Sequence, residues 1–150
     1  MNAPDTLIRI GWRERVDLPE WGLSSVHAKV DTGARTSVID VAQFEHLENG
    51  RVRFEVVWRL RPERLTKWIE ADAVRTSRVK PSTGELQERT VCRTLMRVGE
   101  VEREIEIGLV CRKNMRCRML IGRKALSGLF LVDSSRTHLL TSRQPRKAHP

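Results

Sequence analysis

The chain has 150 residues and a formal net charge of +9 at pH 7, from 28 Lys and Arg against 19 Asp and Glu. This length predicts one domain that buries about two-thirds of its unfolded surface, so the fold does not need disulfide bonds or a structural metal ion for stability. The start of the chain has no basic segment followed by an apolar one, and no apolar run reaches transmembrane length. These features predict a soluble, cytoplasmic protein with no membrane association.

Strand patterns occupy most of the chain. Runs of β-branched or alternating apolar residues predict strands at 7–12, 26–31, 52–60, 68–79, 89–98, 102–110, 118–121 and 129–132. Helical signals are few, and we expect only a short turn of helix at 41–47 and another that begins after Gly122. Together these elements predict an all-β fold, a mostly antiparallel β-barrel that is closed or partly closed.

A hairpin is predicted in the second half of the chain. Strands 68–79 and 88–98 flank the segment Lys80-Pro81-Ser82-Thr83-Gly84, whose Pro and Gly favour a tight tip. Residues 141–150 mix basic side chains, prolines and serine, which is typical of a frayed end. We therefore expect one domain over 1–140 and a basic flexible tail over 141–150.

The motif Asp31-Thr32-Gly33 closes the predicted strand 26–31. A carboxylate at the start of a tight turn can be oriented by backbone N–H groups and a neighbouring hydroxyl, as acid–base catalysis requires. Alone, such a tripeptide is most often only a turn after a strand. The chain also contains Met119-Leu120-Ile121-Gly122-Arg123 far downstream. The pairing of the two motifs favours the catalytic interpretation.

Together the two motifs resemble the active-site skeleton of retropepsin-like aspartic proteases. A longer series of motifs, in the same order over about residues 8–140, resembles a bacterial subgroup of these proteins that carries the label ATP-dependent zinc protease. The resembling segments are 10–14 with 18–19, 28–37, 52–54, 82–84 with 88–89, 115–123 and 131–133. One departure is Ile39-Asp40-Val41, where the subgroup has Leu-His-Ala, so this chain has no histidine at that position.

The resemblance implies a retropepsin-like acid protease β-barrel with a flap hairpin and one short helix. The catalytic residues would be Asp31, Thr32 and Gly33, and Gly122 with Arg123 would pass behind their loop as structural support. The hairpin of strands 68–79 and 88–98 would be the flap. The expected substrate-binding residues are Ala34, Arg35, Thr36, Arg78, Lys80, Ser82, Thr83 and Gly84.

Aspartic protease chemistry needs two carboxylates about 3 to 4 Å apart around one water. One carboxylate takes a proton from the water while the other, protonated, donates to the scissile carbonyl oxygen, so the pair shares one proton. The chain holds a single Asp-Thr-Gly. We therefore expect a symmetric homodimer in which Asp31 of each copy lies at the two-fold axis.

No metal or cofactor is predicted, despite the zinc label. The four histidines form no His-Glu-x-x-His motif. The three cysteines form neither an even set nor a Cys-x-x-Cys pair, which predicts reduced thiols without a structural disulfide. The chain has no Gly-x-x-x-x-Gly-Lys loop for binding phosphates, so we expect no ATP hydrolysis by the chain itself.

Arginine outnumbers lysine by 22 to 6. Arginine binds carboxylates and phosphates through paired hydrogen bonds, which suggests an acidic partner, although an arginine-rich proteome explains the bias equally well. In typical retropepsins an acid four residues after the catalytic aspartate pairs with the arginine of the Gly-Arg motif, whereas this chain has Arg35 there. Arg35 and Arg123 would then need Asp40, Asp133 or an anionic substrate as compensation. Further basic residues on or beside the flap predict an electropositive cleft: Arg75, Arg78, Lys80 and Arg89.

Members of the resembling subgroup often occur beside ATP-grasp ligases that add glutamate to the C-terminus of a small-subunit ribosomal protein. The resemblance therefore implies an aspartic peptidase that cleaves acidic, glutamate-rich tails, such as that of a polyglutamylated ribosomal protein, in association with a glutamate ligase. One alternative is a basic nucleic-acid or ribosome-binding β-barrel. The chain has few aromatic side chains for base stacking, with four Trp, three Phe and no Tyr. The other is an inactive retropepsin-like adaptor.

Overall fold

The computed structural model describes residues 6–80, 84, 86–111 and 117–142. Within these residues the chain forms one short α-helix, α1 (Arg123–Leu126), and two 3₁₀ turns, Pro19–Trp21 and Glu48–Gly50. The other regular elements are the strands β1 (Ile8–Gly11), β2 (Arg13–Leu18), β3 (Leu23–Val30), β4 (Ser37–His46), β5 (Arg51–Arg59), β6 (Leu65–Val79), β7 (Gln87–Val98), β8 (Val101–Val110), β9 (Met119–Ile121) and β10 (Phe130–Asp133).

The strands form one large curled sheet and one small sheet. The large sheet has the order β2-β3-β9-β4-β5-β6-β7-β8, and β2 also pairs with β7 while β4 pairs with β8. These extra pairings turn the sheet back on itself and bring it close to a barrel. The small sheet joins β1 and β10 in parallel. The predicted all-β fold with one short helix is confirmed.

Alternation of side chains along each strand places one face of the sheet in the interior. In β2, Glu14, Val16 and Leu18 point inward and are fully buried. Large apolar side chains fill the interior, and Trp21 packs edge-on against Phe54 with 5.1 Å between ring centroids. In the part of the chain that the structure describes, no helix is long and apolar enough to cross a membrane.

The prediction of a helix at 41–47 is wrong, because residues 41–46 of this segment lie in β4. β4 pairs with β5, β8 and β9, and its first half buries Val38, Ile39 and Val41. These β-branched side chains fit a pleated sheet better than a helix. β2 also lies outside the predicted strands, because its inward-facing set includes the charged Glu14.

β6 and β7 form the hairpin that the sequence predicts. They pair antiparallel from Ala73 opposite Cys92 to Val79 opposite Gln87. The helix expected after Gly122 is present as α1. Residues 81–83 and 85 of the expected hairpin tip, and 143–150 of the expected tail, lie outside the described residues.

The buried carboxylate of Glu14 anchors the last described segment to the barrel. Its two oxygens accept hydrogen bonds from the backbone N–H groups of Gly11 at 2.8 Å, Leu139 at 3.0 Å, Leu140 at 3.2 Å and Thr141 at 3.1 Å. The Thr141 hydroxyl donates a further bond of 2.7 Å. A buried charge is tolerated only when its hydrogen-bonding capacity is filled, and here backbone groups do most of this. Thr141, in the expected tail, is thus held to the barrel.

We predict that Glu14→Gln lowers the free energy of unfolding by about 3 kcal/mol. The NH2 group of the new amide would face backbone N–H donors and could accept no hydrogen bond from them. Denaturant unfolding measures the loss. Glu20→Gln is the matched control, since the exposed Glu20 accepts one backbone bond, from Leu95 at 2.8 Å. We expect the control to cost less than about 1 kcal/mol. Equal losses in the two variants would contradict the anchoring role of Glu14.

Candidate active site

The Asp31 loop begins where β3 leaves the sheet. The N–H of Asp31 donates to the carbonyl of Ile121 in β9 at 2.9 Å, which continues the parallel pairing of β3 with β9 for one more residue. The N–H of Ala34 then closes a turn onto the carbonyl of Asp31 at 3.2 Å. Within this turn the N–H of Gly33 donates to Oδ1 of Asp31 at 3.0 Å. The half-buried carboxylate is therefore oriented by the backbone of its own loop.

The turn between β9 and α1 passes behind this loop and holds it in place. The N–H of Gly122 donates to the buried hydroxyl of Ser37 at 3.0 Å. The N–H of Arg123 donates to the carbonyl of Ala34 at 2.8 Å, and the Arg123 guanidinium donates to the carbonyl of Thr32 at 2.8 Å. Gly122 and Arg123, expected as structural support, therefore both bond to the segment 32–37.

Only glycine fits at position 122. A Cβ placed there would lie 2.6 Å from the carbonyl carbon of Thr36 and 2.9 Å from the nitrogen of Ser37. Both contacts are with backbone, which a rotamer change cannot relieve. The close approach of the two segments thus depends on the missing side chain.

A cleft of about 390 Å³ lies between the Asp31 loop and the hairpin. Five of the expected substrate-binding residues line it: Ala34, Arg35, Thr36, Arg78 and Lys80. Gly33 also lines it, whereas Gly84 is exposed and is not part of its wall. Ser82 and Thr83 lie outside the described residues. Three wall residues escaped the sequence analysis, namely Val38, Val91 and Gly108. They come from three different strands, and only the sheet pairing brings them together.

The wall of this cleft is strongly basic. It contains five cationic residues, Arg35, Arg75, Arg78, Lys80 and Arg89, and no carboxylate among the described residues. Arg78 forms only a long contact of 3.9 Å with Glu88, and both side chains are largely exposed. Exposed pairs of this kind compensate charge weakly. The cleft therefore presents a positive surface to a ligand.

Glu106 of β8 compensates part of this charge from behind the wall. Its carboxylate lies 2.9 Å from Arg75, 3.6 Å from Lys124 and 3.8 Å from Arg93. The hydrogen bond from Arg75 is the main cause that holds the pKa of Glu106 below its ordinary value. Sequence analysis missed Glu106, since its alternating charged strand gives no sign of which glutamate contacts Arg75. Arg75 also approaches the Thr36 hydroxyl at 3.4 Å.

A second cavity, of about 490 Å³, adjoins the other side of the loop and is lined by Thr32, Arg35, Arg123 and Lys124 with apolar neighbours. The two acids considered as compensation for these arginines have other partners. Asp40 forms a buried ion pair with Arg118, and Asp133 pairs with Arg9. In the described ranges no carboxylate pairs with Arg35 or Arg123.

Asp133 is held by local hydrogen bonds. The hydroxyl and N–H of Ser135 donate to its carboxylate at 2.6 and 2.9 Å, and with Arg9 they lower the pKa of Asp133 to about 2.

The described residues contain no group of three or more His, Cys, Asp or Glu placed to hold a metal ion.

An Asp-Thr-Gly loop that is tied to a Gly-Arg turn inside a curled β-sheet defines the retropepsin-like class of aspartic proteases. Residues 9–143 match the family model named RimB-like, described as retropepsin-like aspartic endopeptidase RimB. The chain therefore belongs to the RimB-like family.

Curated relatives carry a different printed name, probable alpha-L-glutamate ligase. The chain is 31% identical over 139 residues to one from Shewanella halifaxensis, which covers 91% of the chain and 30% of the relative. It is 32% identical over 136 residues to one from Parasynechococcus marenigrum, which covers 89% of the chain and 29% of the relative. The chain thus spans under a third of the length of these relatives.

A solved structure has the same fold. The crystal structure of a protein of unknown function from Legionella pneumophila aligns with a TM-score of 0.73 and 24% identity, and the match covers 90% of this chain and 99% of that one. At this identity the likeness shows the fold alone.

We predict that Gly122→Ala lowers the free energy of unfolding by about 2 to 3 kcal/mol, because the added Cβ must displace backbone at positions 36 and 37. Gly108→Ala is the control. A Cβ at Gly108 would meet its nearest neighbour, the Val38 side chain, at an ordinary 3.5 Å. Replacing a strand glycine in that setting should be neutral or slightly stabilising. Equal effects in a thermal or denaturant unfolding series would show that the close approach at Gly122 is unimportant.

Proposed function

We propose that this chain is an aspartic peptidase whose catalytic dyad consists of Asp31 from each of two copies. The observation that supports this most strongly is the anchored Asp31 loop. The Gly33 N–H orients its carboxylate, Arg123 donates to its backbone carbonyls, and Gly122 donates to the Ser37 hydroxyl just after it. General acid–base catalysis needs such fixed geometry. A single chain supplies one Asp-Thr-Gly, so a two-fold dimer is the simplest source of the second carboxylate.

The chemistry follows from charge repulsion. Two ionised carboxylates about 4 Å apart repel by about 4 kcal/mol at an effective dielectric of about 20. The pair therefore retains one proton, which makes one aspartate a base toward water and the other an acid toward the scissile carbonyl oxygen. Thr32 and Gly33 complete the catalytic motif, as the family resemblance implies.

We infer that the substrate is an acidic, glutamate-rich peptide. A basic cleft whose described wall contains no carboxylate favours a negatively charged chain, and arginine forks bind carboxylates in pairs of hydrogen bonds. The relatives named glutamate ligase support the same substrate class, because a peptidase related to them would act on the chains that such a ligase builds. A glutamylated ribosomal protein is the concrete candidate, with a glutamate ligase as functional partner.

The first test is Asp31→Asn, which keeps the size of the side chain but removes the shared-proton chemistry. We expect cleavage of a peptide that ends in consecutive glutamates to fall by about 1,000-fold or more, with unfolding nearly unchanged. Mass spectrometry of the products gives the rate. Asp72→Asn is the control, since Asp72 lies on the surface with a 76% exposed side chain. It should cleave like the parent chain.

Mixing experiments test the dimer separately. Excess Asp31→Asn chain should lower the activity of the parent chain by forming inactive heterodimers, and sedimentation should show a dimer. Parent-like turnover by Asp31→Asn alone would refute the catalytic role. A dimer that binds the glutamate peptide without cleaving it would favour the adaptor alternative. A chelator should leave activity unchanged in the parent chain.

The second test concerns Arg35. We expect Arg35→Glu to lower kcat/KM about tenfold more for the glutamate peptide than for a neutral peptide, because it reverses a charge in the cleft wall. Stability should change little, since the reversal also reduces repulsion with Arg123. Arg136→Glu is the control, an equal charge change at an exposed position outside the cleft. Equal losses on both peptides would mean that Arg35 supports the loop and does not select substrate.

A further inference from the structure

A third cavity, which we call the basic pocket, lies along β3, away from the Asp31 loop. It has a volume of about 430 Å³, and its charged wall consists of Arg15, Arg59, Arg61, Arg118 and His27. His27 lies on β3, four residues before Asp31, which is about 13 Å at the rise of an extended chain. None of the residues that line this basic pocket also lines the cleft. The two cavities are therefore separate sites.

The charges in the basic pocket are only partly compensated. Arg118 is neutralised by its buried ion pair with Asp40. The Arg59 guanidinium donates to the carbonyl of Arg61 at 3.0 Å, a contact that orients the side chain without cancelling its charge. The described lining of the pocket contains no carboxylate. Arg59 and Arg61 thus leave a positive potential at the mouth of the cavity.

Two titrating groups respond to this environment. Burial and the nearby charge of Arg59 both lower the pKa of Arg15. Burial lowers the pKa of His27 to about 4, with further contributions, in decreasing order, from Arg15, Arg13, His138 and Arg118. These groups face His27 from β2, from the segment before β9 and from the last described segment. The ring of His27 is therefore neutral at pH 7.

We propose that the basic pocket binds a small, multiply charged oxyanion, carried on phosphate or carboxylate groups, independently of the peptide cleft. Arginine forks suit both groups because each offers two oxygens to paired N–H donors. The volume lies in the range of small-ligand sites, about 300 to 1,000 Å³. Trp58 forms part of the wall and gives the ligand an apolar surface to pack against.

Calorimetric titration at low salt tests the proposal, with pyrophosphate as the phosphate probe and citrate as the carboxylate probe. We expect the parent chain to bind the probes. The double variant Arg59→Gln, Arg61→Gln should bind them with an affinity at least about tenfold lower than the parent chain. Arg59 is half-buried and Arg61 exposed, so the fold should tolerate both changes. Arg51→Gln on β5 and Arg136→Gln are controls outside both the basic pocket and the cleft, and each should keep parent-like affinity. The probe that binds more tightly identifies the group that the pocket prefers.

A second measurement reads the site directly. A bound anion favours the charged imidazolium, so the pKa of His27 should rise on binding and affinity should increase as the pH falls. Nuclear magnetic resonance of the His27 ring measures this shift. Failure of both probes to bind, equal weakening in the controls, or an unmoved His27 titration with bound probe would overturn the proposal.

Discussion

The close approach of two backbone segments, 36–37 and the turn at Gly122, is the constraint on which the candidate site depends. A side chain at 122 would lie 2.6 Å from the Thr36 carbonyl carbon, so the absence of a Cβ sets the distance between the β9–α1 turn and the loop after Asp31. The Ser37 hydroxyl and the Arg123 guanidinium then bond across this contact. The Asp31 carboxylate is positioned because its loop is held from behind, while Gly33 to Thr36 of the same loop line the cleft.

Charge is distributed in three distinct ways in this molecule. Buried charged groups have close partners: the Glu14 carboxylate accepts hydrogen bonds from backbone N–H groups, and Asp40 pairs with Arg118. Along β7 and β8, exposed arginines and glutamates alternate in cross-strand pairs, such as Arg97 with Glu102, that contribute little to stability. The cleft and the basic pocket are the third case, since cations line them and no carboxylate occurs among their described wall residues. Cations are therefore clustered in these two concave surfaces, where field lines are focused.

Much of this fold could be predicted from the sequence, because period-two patterning marks most strands and the two motifs identify the loop and its support. What could not be predicted has physical causes. β4 carries polar residues after Val41, so its exposed second half resembles a helix surface until pairing with β5 is known. The roles of Glu106 and Val91 depend on the register among the consecutive strands β6, β7 and β8. Local patterns do not encode that register.

Arg35 replaces the acid that typical retropepsins use to pair with the arginine of the Gly-Arg motif, yet the loop remains anchored. Arg123 instead donates to the Thr32 carbonyl, and its own N–H bonds to the Ala34 carbonyl. A neutral backbone acceptor satisfies the geometry of the guanidinium but leaves its charge uncancelled. The acceptor for the Arg123 guanidinium is thus a backbone carbonyl in this chain, where typical retropepsins use an acidic side chain. Arg35 thus keeps its charge in the wall of the cleft, which supports the acidic substrate proposed above.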